Sequence, residues 1–114
     1  MKRILLTIVL VSILANSSIM SAAVRAISVT PTLTFTGTTA YCRVSITEIG
    51  KEIEATLELW QGNILVDSWS GSAASYLVIA ENHSVISGQT YTLKVSGTID
   101  GVPFTGNPVT KTCW

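Results

Sequence analysis

Over residues 52–60 the chain alternates without a fault. Ile53, Ala55, Leu57 and Leu59 take every second position, and Glu52, Glu54, Thr56, Glu58 and Trp60 fill the gaps. A period of two gathers each set on one face of a β-strand, and a helix would scatter both. Gly62-Asn63 follows, a two-residue hairpin signal. With that turn Trp60 lies opposite Leu65, Glu58 opposite Asp67 and Thr56 opposite Trp69. Ile64 and Val66 then join Leu57 and Leu59 on the core side. A four-residue loop keeps this register, whereas a three-residue loop slips it by one and reverses every side chain.

The rest of the chain repeats the pattern. Residues 28–35 alternate loosely around Pro31, which lacks a ladder N–H and so marks an edge strand. Ala40, Cys42, Val44 and Ile46 share one face of the next strand. Residues 48–52 read as a polar loop around Gly50, and Ser70-Gly71-Ser72 reads as a turn. Residues 74–80 are nearly continuously apolar, and 81–88, which include His83, form a loop. Tyr91, Leu93 and Val95 alternate with Thr92, Lys94 and Ser96. Asp100-Gly101 is a second hairpin signal, and it sets Val102 opposite Ile99 and Phe104 opposite Gly97, an aromatic covering a bare glycine. Val109 and Cys113 both point inward only if a bulge follows Gly106-Asn107. Lys111 then shares their side and needs a rim position from which its amine reaches water. Turn signals every 8–12 residues, with no helical pattern after the first two dozen residues, specify an all-β sandwich of about seven short antiparallel strands.

The start of the chain has another character. Met1-Lys2-Arg3 is a positive cluster, residues 4–14 are apolar apart from Thr7 and Ser12, and small residues follow. This is the three-part pattern of a secretory signal peptide, and the apolar run is shorter than the roughly 20 residues that span a bilayer. Cleavage after Ala23 or after Ala26 satisfies the small-residue rule equally. The expected organisation is a signal peptide over 1–26, helical in its core, and one domain over 27–114. No cysteine follows the apolar run for lipid attachment, and no apolar tail precedes Trp114. The expected product is extracellular, touching a membrane only through its leader.

Hydrophobic residues make up 47% of the chain and charged ones 12%, but the leader inflates the first figure. From Ile27 onward four basic residues stand against seven acidic ones, a net −3. Without a basic patch, nucleic acid is excluded as a partner on electrostatic grounds. Cys42 and Cys113 are the only cysteines. In an oxidising compartment they are expected to form a disulfide, worth about 4 kcal/mol for a loop of about seventy residues.

Three stretches carry a resemblance: Thr56-Leu57-Glu58-Leu59-Trp60-Gln61-Gly62, Gly88-Gln89-Thr90-Tyr91-Thr92-Leu93-Lys94-Val95, and Ile99-Asp100-Gly101-Val102. Through them the chain resembles immunoglobulin-like and fibronectin type III-like modules of bacterial secreted proteins. More narrowly, it is similar to small single-domain secreted proteins of Gram-positive bacteria without an assigned function. The resemblance covers residues 28–114 and implies an immunoglobulin-like sandwich with Tyr91 as a tyrosine corner, its hydroxyl pinning the preceding loop. The chain departs from the antibody pattern at Leu93, where the second cysteine would stand.

Motifs of enzymes are absent: no Cys-x-x-Cys, His-Glu-x-x-His, Gly-x-Ser-x-Gly or phosphate-binding glycine loop occurs. The expectation is a protein that is not an enzyme and takes no cofactor. Glu52, Glu54 and Glu58 share a strand face at glycosidase-like separations, yet an open strand offers them no cleft. Glu58 opposite Asp67 would place like charges across a pair, which a calcium ion, water or a neighbouring lysine would relieve. Trp60, Leu65 and Trp69 are expected on the outward face of the hairpin. Exposed tryptophan on a β-surface anchors a protein partner or stacks on sugar, or else packs under a neighbouring loop. The expectation is a secreted interaction module binding an unknown protein, with a carbohydrate-binding module as the alternative. A lytic peptide is disfavoured by the lack of positive charge.

Overall fold

The computed structural model describes residues 28–114, so the leader expected over 1–26 and its cleavage point lie outside the described residues. Within them every regular element is a strand: β1 (Thr32–Thr36), β2 (Thr39–Gln61), β3 (Ile64–Ser84), β4 (Thr90–Ile99), β5 (Val102–Thr105) and β6 (Val109–Thr112). All pairings are antiparallel, in the order β1-β2-β4-β5, with β3 on β2 and β6 on β4. The fold is all-β and sandwich-like, with six strands rather than about seven.

The count is lower because expected breaks are strand. Residues 48–52 do not form a free loop. β2 and β3 run on past them, with Glu48 opposite Ser75 and Glu52 opposite Ala74. Ser70-Gly71-Ser72 is not a turn either, since these residues pair with Thr56, Ala55 and Glu54. His83 lies near the end of β3, not in a loop.

The two long strands instead bend together. Three residues of β2, at 49–51, have no partner on β3, and Gly50 takes a φ of 78°. Ser75 sits across from this bulge with a φ of 68°, a conformation that costs an ordinary residue roughly 1–2 kcal/mol. Its hydroxyl accepts the Gly50 N–H at 2.9 Å. Asp100 braces the same place: its carboxylate accepts the Glu52 N–H at 2.8 Å, and its own N–H donates to the Glu52 carbonyl.

Beyond the bend the hairpin lies back on itself. A Cβ on Gly71 would sit 3.3 Å from Leu77 and 3.5 Å from Ile79, so the two halves of β3 are in close contact. Farther out, His83 Nδ1 and Asp67 Oδ2 are 2.9 Å apart. Asp67 and His83 are equally far from Ser75 in sequence, as are Gly71 and Ile79. One layer therefore holds β1, the start of β2 and the end of β3. The other holds the remainder of both strands with β4, β5 and β6.

The core fills the space between. Leu33, Cys42, Val44 and Ile46 from the first layer meet Leu57, Leu59, Leu93 and Val95 from the second. Each large side chain buried there contributes about 1.5–3 kcal/mol. Phe104 lies opposite Gly97 and is buried, as the sequence implies. Gly97 is also required from its other side, because a Cβ would strike the Glu54 carbonyl. Between β5 and β6 the pairing with β4 shifts by one residue: Thr105 faces Ser96, whereas Val109 faces Leu93. That shift turns Val109 and Cys113 inward and leaves Lys111 exposed at the rim.

The expected disulfide is not formed. Cys42 and Cys113 are both buried and unbonded. Cys42 sits opposite Leu33, and the Cys113 thiol donates to the Gly37 carbonyl at 3.4 Å. Inward parity was correct for both residues, but count and compartment set no distance between them. Each acts here as a small apolar side chain.

Candidate functional site

The outward face of the second layer carries Glu58, Trp60 and Leu65 of the side chains that the sequence singled out. Trp60 pairs with Leu65 on β3 and Thr92 on β4, as the two-residue turn requires. The register then slips. Leu59 faces Asp67 and Leu57 faces Trp69, so Val66 is the extra residue of a bulge. One inserted residue reverses everything beyond it.

Two expectations fall with that slip. Trp69 is not on the outward face: it shares the side of Leu57 and packs against the core. Glu58 does not face Asp67: it faces Ser68 and lies outward, while Asp67 turns in with Leu59. No like-charge pair remains for a calcium ion to relieve. Among the described residues no three His, Cys, Asp or Glu side chains are placed to hold a metal.

Trp60 is outward, half-buried and held. Its indole N–H donates to Glu58 Oε1 at 3.1 Å, and Lys94 Nζ lies 4.8 Å from the ring centroid. Such a cation–π contact is worth about 0.5–1 kcal/mol at an exposed site. β2 and β4 create it by pairing Glu58 with Lys94. Beside this fixed indole the hairpin end is apolar. Leu65 is 46% exposed and Ile64 67% exposed. Ile64 was expected inside, but the hairpin tip has no opposite layer to cover it.

Farther along the same face the side chains shorten. Glu54, Thr56, Ser70, Ser72 and Thr98 surround an open depression of about 430 Å³, floored by Ala55, Gly71 and Gly97. Thr56 and Ser70 hydroxyls bond each other across it at 2.9 Å. No aromatic ring lines the depression. Trp60 lies six positions beyond Glu54, about 20 Å along a strand.

The inner rim holds the remaining polar chemistry. His83 and Asp67 join the ends of β3, both partly exposed. Cys42 lies close enough to Asp67 to feel its charge. Burial, and then that charge, push its thiol up to about 11. A nucleophilic thiol needs the opposite shift.

Tyr91 is buried, with its ring 6.0 Å from that of Phe35, and its hydroxyl accepts the Ile86 N–H at 2.8 Å. A tyrosine corner makes this tie. It fixes the loop between β3 and β4 and, with it, the course of β4 past Lys94.

No protein-family model matches this chain, and a search of curated proteins likewise finds no match.

Proposed function

We propose that this chain is a secreted, non-enzymatic interaction module that binds a protein partner through the free end of the β2–β3 hairpin. The contact surface is Trp60, Leu65 and Ile64. One observation carries this reading: Leu65 stands exposed beside an indole held by Glu58 and Lys94, and Ile64 is exposed at the same tip on the opposite face of the ribbon. An anchor with its rotamer already fixed loses little entropy on binding, and aliphatic neighbours favour an apolar protein surface. Secretion rests on the leader pattern over residues 1–26. Kinship with immunoglobulin-like or fibronectin type III-like modules is part of the proposal, and the Tyr91–Ile86 bond supports it.

The carbohydrate alternative loses ground. Trp69 is withdrawn from the face, and Lys94 occupies one side of the Trp60 ring.

The test is cross-linking with mass spectrometry on culture medium and cell envelopes, using the chain and its Ile64→Ser/Leu65→Ser variant. The proposal expects cross-links that map to the hairpin end and disappear in the folded variant. Undiminished capture by the variant would overturn it. So would a glycan-array signal that Trp60→Ala abolishes, which would move the site to sugar.

A further inference from the structure

Among the described residues four strands have a single partner strand, and three of them are protected in familiar ways. β1 is five residues long and follows Pro31. β5 is four residues long and contains Pro103. β6 is four residues long, follows Pro108 and contains Lys111. Shortness, proline and lysine each discourage a further strand from joining. The fourth is β3, 21 residues long, whose one partner strand is β2. It contains no proline, lysine or arginine, and no charge between Asp67 and Glu81.

The half beyond the bend is the adhesive part. Tyr76-Leu77-Val78-Ile79 combines high β-propensity with neutrality. Tyr76 is 53% exposed and Val78 36% exposed on the outer face. Along this stretch β3 has a partner on one side only, so half of its main-chain donors and acceptors point at water.

We propose that this edge receives a second copy of the same chain, β3 against β3, antiparallel about Val78. The register follows from the side chains. Pairing about a residue keeps inner residues with inner and outer with outer. About Val78, Leu77 meets Ile79 and Tyr76 meets Ala80, a small residue that leaves the ring room. Glu81 meets Ser75, so no acid faces an acid although the domain is acidic. A two-fold axis satisfies the free edge of both copies at once, and the contact closes without growing into a fibre. This surface lies apart from the hairpin end and does not depend on its assigned role.

Sedimentation velocity on the chain expressed from its full sequence tests the proposal. The wild type is expected to form a dimer whose population rises with concentration. Val78 faces its own copy at the axis. Val78→Lys alone and Val78→Asp alone should therefore each weaken association by roughly a hundredfold through like-charge contact. An equimolar mixture of the two should restore the dimer. Circular dichroism checks that each variant folds. Amide exchange on the wild type gives an independent reading, in which residues 76–80 gain protection as concentration rises. A wild type that stays monomeric, variants that dimerise as well as the wild type, a mixture that fails to recover, or exchange at 76–80 that ignores concentration would each overturn the proposal.

Discussion

The two halves of β3 share one partner strand and one free edge, yet they present different surfaces. Before Ser75 the outward positions are Ser68, Ser70 and Ser72, and the inward ones are Trp69, Gly71 and Ala73. After it the outward positions are Tyr76, Val78 and Ala80, and the inward ones are Leu77 and Ile79. The glycine and the bulky pair belong together, because Gly71 leaves the space that Leu77 and Ile79 fill. Volume is thus conserved across the bend rather than within each half. The outer surfaces have no such constraint. One half is hydroxylated and well solvated, and the other is apolar.

Truncation separates the halves most sharply. Leu77→Ala should cost about 3 kcal/mol in urea unfolding, and Ser72→Ala less than about 0.5 kcal/mol. Equal costs would break the comparison. The tryptophans come next. Trp69→Ala should lower stability by about 2–3 kcal/mol, since it packs on the core from the first half, and outward Trp60→Ala by about 1 kcal/mol. A reversed order, read from the same denaturation curves, would put Trp69 back on the surface.

The third prediction concerns Cys42, in the first layer beside the second half of β3. Burial pushes its folded pKa up to about 11 from an ordinary thiol value of 9.0, so the folded state retains the proton longer. The resulting stability is complete below about pH 9 and is lost as pH rises toward 11. Against Cys42→Ala, the wild type should lose about 2 kcal/mol more across that window. Thiol titration in denaturant without reductant should also count two free cysteines per chain. The last comparison is at the rim, where His83 and Asp67 tie the halves together. Asp67→Asn should cost about 0.5–1 kcal/mol, because both groups are partly in water. Its signature is faster amide exchange at the two ends of β3 and unchanged exchange at the bend.

Much of the fold was legible in alternation and turn chemistry. The faces of β2 and β4, the Asp100-Gly101 turn, Phe104 over Gly97 and the shift before Val109 all follow from period two and glycine placement. The bulge at Val66 left no such mark, since residues 64–69 alternate acceptably in either phase. The phase that buries Trp69 wins by packing against the other layer, which no local pattern records. Ser70-Gly71-Ser72 misled for a related reason. Its glycine serves a close approach between layers, and local turn statistics cannot distinguish that from a reversal. In the candidate site Trp60 and Leu65 were readable because they precede the slip. Ile64 was missed because its parity is inward and only its place at the tip exposes it. The His83–Asp67 pair joins residues sixteen apart through the bend, and no motif spacing marks it.

Sandwich domains ordinarily fold slowly, because their facing sheets are built from segments far apart along the chain and each closure costs loop entropy. In this chain the first contacts between facing sheets are available within one strand: Gly71 reaches Ile79 across eight residues. Once the β2–β3 ribbon has zipped from Gly62-Asn63, bringing its layers together is a local event. The late, expensive step falls instead to the arrival of β4 along β2.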